Sequence, residues 1–269
     1  MCLAAFALNA HPRFPLVIAA NRDEFYARAS APMAWWEDRP GLLAGRDLEA
    51  GGTWFGLTRT GRVALLTNVR EPGRQQAGAR SRGDLVVDWL AGDEPASRTL
   101  QGAVYNGFNL VTGDLSSGSW GSWNWASNRA GTPNATVALQ PGLHAVSNAL
   151  LDTPWPKTVG LKADLADALA CATGAEPLAE RLLQALADTR RAPDAALPDT
   201  GVGLERERLL SARLVRIPMP DDPASALYGT RCSTVLVREA GGRTLVVERT
   251  LTAAGAWLEP VVHTLAGWP

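Results

Sequence analysis

A cysteine at position 2 and the run Asn21-Arg22-Asp23-Glu24 bring a thiol, a guanidinium and two carboxylates into the first 25 residues. Removal of Met1, which a small second residue permits, would leave Cys2 carrying its thiol and a free α-amine on one carbon. The ordinary pKa of such an amine is about 7.7–8.0 and that of a thiol about 8.5, so both lie near neutral pH. The amine could then accept the thiol proton, directly or through a water, and the thiolate could attack a carbonyl. Asn68 and Asn148 stand at expected strand ends, where side-chain amides and nearby backbone N–H groups are suited to an oxyanion. Arg70 opens a Gly/Gln-rich stretch that also holds Arg74, Arg80 and Arg82. That stretch reads either as a solvated loop or as an anion site built from arginine forks.

Each feature has a plainer alternative. Cys2 could be a small buried hydrophobe. An arginine flanked by carboxylates could be a salt-bridged turn. Asparagines are leading turn formers. The constellation, taken in chain order, gives the nucleophile reading its weight.

Other chemistry is thin. His11, His144 and His263 are isolated, and no HExxH, CxxC or GxSxG motif occurs, so neither a metal nor a cofactor is expected. The adjacent carboxylates of Asp23 and Glu24 are a weak signal for Ca²⁺.

The elements that must position these residues begin with a hairpin. Leu3–Leu8 and Leu16–Ala20 are apolar runs joined through His11-Pro12 and Pro15, which reads as two covered strands. The hairpin places Cys2 and the Asn21–Glu24 cluster at one end of a sheet. Ala27–Leu42 reads as a loop whose Trp35-Trp36 pair is either core or the wall of an apolar pocket. Gly51–Thr58 and Val63–Asn68 read as paired strands, and Asp84–Leu90 as a helix. Phe108–Thr112 is a strand, Ser116–Asn128 a hairpin with Trp123 and Trp125 on one face. Thr136–Leu139 and Leu143–Ser147 continue the strand pattern. Leu161, Leu165, Leu169 and then Leu178, Leu182, Leu186 mark two amphipathic helices, and Leu204–Leu214 a third. Ser233–Arg238 and Thr244–Thr250 close the chain as a hairpin, with Trp257–His263 as an edge strand. Strands at both ends with helices between them argue an α+β fold with largely antiparallel sheets. The apolar strands favour two stacked sheets flanked by helices.

Size and composition set the remaining bounds. A chain of 269 residues with 46% apolar and 20% charged residues is an ordinary globular protein, expected here as a single domain spanning 1–269. A formal net charge of −1 argues against nucleic acid or an anionic membrane as partner. Three widely spaced cysteines argue against a disulfide framework and fit a reducing compartment. No leader pattern or membrane-length apolar run is seen, so a cytoplasmic protein is expected.

MC at the start, NRDEF, GGTWFG, TNVREP, YNGFNL, SNALLDTPWPK and GTRCSTVLV together resemble the NRDE family, which includes the transport-and-Golgi-organisation proteins. The matching blocks run from residue 1 to about residue 238. That family in turn resembles the N-terminal-nucleophile hydrolases of the penicillin V acylase and bile-salt hydrolase type. The resemblance implies a four-layer αββα sandwich with Cys2 as nucleophile. Arg22 and Asp23 would orient its amine and thiol, Asn68 and Asn148 would serve the oxyanion, and Arg231 would complete the site. Asn21, Glu24 and Arg70 are candidates for contacting a ligand. Two departures stand out: the aspartate adjoins the arginine instead of lying three residues past it, so either Asp23 or Glu24 could face the site, and Cys232 stands where a polar residue is usual. The expected activity is hydrolysis or acyl transfer at an amide or thioester through an acyl-Cys2. The alternative is a non-catalytic carrier of haem or acyl-coenzyme A-type ligands. In either case the partner is a small apolar molecule with an acid group, and the tryptophans could supply a flat wall.

Overall fold

The computed structural model describes residues 2–92, 104–116, 120–130, 136–218 and 227–269. In chain order the elements are β1 (Cys2–Leu8), β2 (Leu16–Phe25), β3 (Ser30–Trp35), β4 (Leu42–Asp47), β5 (Phe55–Thr58) and β6 (Arg62–Asn68), then α1 (Gly83–Ala91). Next come β7 (Phe108–Asp114), β8 (Ser122–Ser127), β9 (Thr136–Ala138) and β10 (Gly142–Val146), followed by α2 (Pro156–Ala170), α3 (Ala175–Leu186) and α4 (Leu204–Leu210). The chain ends with β11 (Arg216–Pro218), β12 (Leu227–Arg238), β13 (Thr244–Thr250) and β14 (Val261–Leu265). The fold is α+β, with two antiparallel sheets among the described residues. No helix among them is long and apolar enough to cross a membrane.

The backbone groups into two compact units, residues 1–28, 141–147 and 152–267 in one, and 29–140, 148–151 and 268–269 in the other. The first unit is a sheet in the order β10-β1-β2-β12-β13-β14, with β11 paired to β12. Alternation along its strands sends Leu3, Ala5, Ala7, Val17, Ala19, Val235 and Val237 to one face, where they pack in a single core with the leucines of α2 and α3. The sequence dictates those helices: Leu161/Leu165/Leu169 and Leu178/Leu182/Leu186 fall on one stripe each, all buried. Pro156 starts α2 at a position where a missing N–H costs nothing, and Trp155 before it is extended. Truncating a fully buried member such as Leu165 to alanine would cost about 2–5 kcal/mol.

The second unit is a sheet in the order β3-β4-β5-β6-β7-β8-β9. Helix α1 covers one face, with Leu85, Val86 and Leu90 set against Ala44, Ala64, Leu66 and Phe108. Gly92 ends α1 in the left-handed conformation at φ 98°, where glycine is favoured.

Several local expectations shift. The second strand runs on past Ala20 through Asn21–Glu24, because β12 supplies ladder partners as far as Phe25. The segment 27–42 contains β3. Gly51–Trp54 stays outside β5: at Gly52 a Cβ would lie 2.7 Å from the backbone of Gly83, so this stretch is drawn to the start of α1. The third helix stops at Leu210, where Ser211 Oγ turns back to donate to the Arg208 carbonyl (2.7 Å). Residues 117–119 of the expected Trp-rich hairpin, and 219–223 of the proline-rich approach to β12, lie outside the described residues.

Candidate functional site

Within the first unit, the β1–β2 register pairs Cys2 with Arg22, and the β2–β12 register pairs Arg22 with Cys232. Directly opposed residues of antiparallel strands project to the same face. Cys2, Arg22 and Cys232 therefore form one row across three strands, on the face turned away from α2 and α3. All three are buried. The Cys2 carbonyl accepts a hydrogen bond from Ser147 Oγ (3.0 Å), which fixes the start of β1. Burial pushes the Cys2 thiol above its ordinary range, and the Asp23 carboxylate pushes the same way. The chain's α-amine, then Arg22 and a hydrogen bond from the Asp23 backbone, oppose the rise.

Arg231 occupies a β-bulge. The pairing passes from Asp23↔Thr230 to Arg22↔Cys232 and leaves Arg231 as the extra residue. Its guanidinium Nη1 donates to the carbonyls of Phe25 (2.8 Å) and Arg28 (2.7 Å), and it lies 4.9 Å from the centroid of the Tyr26 ring. Burial lowers the Arg231 pKa, with the nearby Arg22 charge adding to the effect. Arg231 thus sits beside the row and clamps the end of β2.

Asp23 Oδ1 accepts from Thr230 Oγ1 (2.7 Å), which in turn accepts from the Val215 N–H (3.0 Å). The Asp23 carbonyl accepts from Tyr228 OH (3.2 Å). Glu24 Oε1 accepts from the Phe25 N–H (3.0 Å); its charge is felt at Arg231. Of the two carboxylates, Asp23 is the one that acts on Cys2.

Asn21 departs from its expected ligand role. One position from Arg22, it points to the opposite, helical face. Its Nδ2 donates to the carbonyls of Leu186 (2.9 Å) and Arg213 (2.9 Å), and its Oδ1 accepts from Ser233 Oγ (2.6 Å). Both amide hydrogens are spent on holding α3 and the 213 backbone to the sheet.

The second unit brings Asn68, Arg70 and Asn148 together. Asn148 Nδ2 donates to the Asn68 carbonyl (2.9 Å), while Arg70 approaches Asn148 Oδ1 through Nη2 (3.4 Å) and the Asn148 carbonyl through its backbone N–H (2.7 Å). Asn148 is buried, so its amide is oriented from both sides. The expected arginine stretch divides: Arg80 pairs with Asp84 (3.3 Å), and Arg82 donates to the Gly107 carbonyl (3.2 Å). Trp35 and Trp36 line a concavity of about 400 Å³ with Pro32 and Arg46. Arg46 stands 4.2 Å from the centroid of the Trp36 ring and donates two hydrogen bonds to the Asp38 carboxylate (both 2.7 Å).

Sequence reasoning missed Glu248 of β13. It is 2% exposed, accepts from Thr234 Oγ1 (2.9 Å) and acts on the Cys232 thiol. The signal was a glutamate in a strand slot whose alternation, through Val246, is apolar. Among the described residues no group of three or more His, Cys, Asp or Glu side chains could hold a metal ion.

A solved structure, a variant of conjugated bile acid hydrolase from Clostridium perfringens, is similar at a TM-score of 0.42 and 8% identity, covering 98% of this chain and 92% of that one. So loose a likeness transfers no activity. The closer likeness is in sequence. The mouse Transport and Golgi organization 2 homolog is 35% identical over 93% of both chains. The human Transport and Golgi organization protein 2 homolog is 34% identical over the same shares. The family model for Transport and Golgi organisation 2 matches residues 1–253, and the chain belongs to that family.

Proposed function

We propose that this chain is an N-terminal-cysteine hydrolase or acyltransferase that acts on an amide or thioester through an acyl-Cys2 intermediate. One observation carries the reading: Cys2 opposes Arg22 in the sheet register, at the first residue of the first strand. A free α-amine on Cys2 would take the thiol proton as the thiolate attacks the substrate carbonyl. The same amine would return that proton to the leaving group, and water would then cleave the acyl-thiol bond. Arg22 favours the thiolate by its charge; Asp23 disfavours it and favours a protonated amine. The expected substrate is a small apolar molecule with an acid group, and Arg22 and Arg231 are the cationic side chains proposed to meet it.

The rise of the Cys2 thiol through burial favours a second reading, in which the protein is a carrier for haem or an acyl-coenzyme A-type ligand and Cys2 is structural. Hydrolysis of a panel of N-acyl amides and acyl thioesters by wild type and Cys2→Ser, beside haem and acyl-coenzyme A titrations, separates the two. Turnover that vanishes in Cys2→Ser supports the enzyme. Ligand binding that is indifferent to the substitution, with no turnover by either protein, supports the carrier.

A further inference from the structure

The row Cys2–Arg22–Cys232 does not end at Cys232. On β13, Thr250 opposes Cys232, and Glu248, one same-face position off the row, opposes Thr234. Thr234 Oγ1 donates to Glu248 Oε2 (2.9 Å), and both residues are buried. A carboxylate held ionised in the interior needs a cation or donors near it. We propose that Glu248 is a positioning residue for the Cys2 site: it flanks Cys232 at the far end of a buried row in which Arg22 stands between two thiols, and its carboxylate limits how strongly the Arg22 charge acts on Cys2. The proposal rests on reading Cys2 as the reactive thiol.

The chemistry of Cys232 agrees with the geometry. Burial sends its thiol well above the usual range, and Glu248 acts in the same direction through its charge and as acceptor for the thiol proton, while Arg22 opposes. Cys232 is held towards its protonated form more strongly than Cys2, which burial also raises, and it serves as a donor to Glu248. Arg22 of β2 faces Cys2 and Asp23 reaches it by its charge, with Cys232 and Glu248 beyond them on β12 and β13. The chain's own α-amine is the remaining charge, covalently near. Two to three strand spacings, about 10–14 Å, separate Cys2 from Cys232 and Glu248. At that range one buried charge moves a thiol equilibrium several-fold.

The test is the iodoacetamide alkylation rate of Cys2 from pH 7 to 10, followed by peptide mass. Glu248→Gln should speed alkylation at pH 8 by about threefold to tenfold, and Arg22→Gln should slow it by a similar factor. Cys232→Ser keeps a donor for Glu248 and should stay within about twofold of wild type. Thr234→Val covers the case in which Glu248→Gln does not fold: it removes the hydrogen bond that fixes the Glu248 carboxylate beside Cys232, loosens its position, and should speed alkylation about twofold. A folded Glu248→Gln protein, or a folded Thr234→Val protein in its place, with the wild-type pH profile would overturn the proposal. A large change confined to Cys232→Ser would do the same. The readout needs no substrate, so a protein that never turns over would undo the enzyme reading without touching this result.

Discussion

Cys2 and Arg22 face one another across the first two strands, residue for residue, and the same Arg22 faces Cys232 on its other side. The hairpin from Leu8 to Leu16 makes the first pairing local, closed by the Asn9 N–H bonding to the Pro15 carbonyl (2.7 Å). The second pairing joins residues more than two hundred positions apart, so the first hairpin is held by the last third of the chain.

That arrangement makes an oxidation experiment informative. Cys2 and Cys232 flank the strand that carries Arg22, so their Cα atoms are about 10 Å apart, beyond the roughly 7 Å a disulfide permits. Diamide treatment of the folded protein should give no Cys2–Cys232 crosslink by non-reducing peptide mapping. Recovery of that crosslink from folded protein would mean the three-strand row is wrong.

Arg231 tests the bulge. Its guanidinium ties two carbonyls, of Phe25 and Arg28, at the end of β2. Arg231→Ala should cost about 2 kcal/mol of stability, since each hydrogen bond to a charged group contributes about 1.5–3 kcal/mol and partial exposure reduces that. Arg231→Lys should recover less than half, because an ammonium lacks the planar fork. Urea midpoints of the two variants decide it; equal midpoints for alanine and wild type would remove Arg231 from the structural role.

A titration far from Cys2 is also fixed by geometry. Burial works to raise Asp152, but hydrogen bonds from His144 (3.0 Å), Lys162 (2.9 Å) and the Ala145 N–H (2.9 Å) win and bring it down to about 2. A carboxyl whose folded pKa is depressed adds stability that is present above the unfolded value of about 3.9 and is lost as pH falls towards 2. Asp152 is a third exposed, so solvent screening leaves about 1 kcal/mol at neutral pH. The urea-midpoint gap between wild type and Asp152→Asn should therefore shrink as pH drops from 5 to 2.5. A gap that stays constant across that range would show the carboxylate is not responsible.

The hairpin, the two leucine-striped helices and the C-terminal strand pair were legible because each rests on local periodicity and turn chemistry. The position of Arg231 was not: a bulge depends on the register between strands distant in sequence, which no local pattern encodes. Asn21 could have been placed by alternation alone, since a neighbour of Arg22 in a strand must face the other way. It was grouped with the site because the second strand was expected to stop at Ala20, which left Asn21–Glu24 as one cluster at the sheet end. Glu248 was hidden for the converse reason, being one charged residue in a run otherwise read as a strand.

We propose that the two units fold as one domain. The chain passes between them five times, at residues 28/29, 140/141, 147/148, 151/152 and 267/268, so neither unit is a continuous piece that could form alone. Calorimetry should give one transition whose van't Hoff and calorimetric enthalpies agree; two resolved transitions would contradict this.

The central claim is that Cys2, freed at the chain terminus, takes up an acyl group. Intact-mass spectrometry of protein from its native host, before and after incubation with an activated acyl thioester, measures this directly. The account predicts a starting mass lacking Met1, then the gain of one acyl group that is lost in Cys2→Ala. A retained Met1, or a processed protein that gains an acyl group equally in Cys2→Ala, would contradict it.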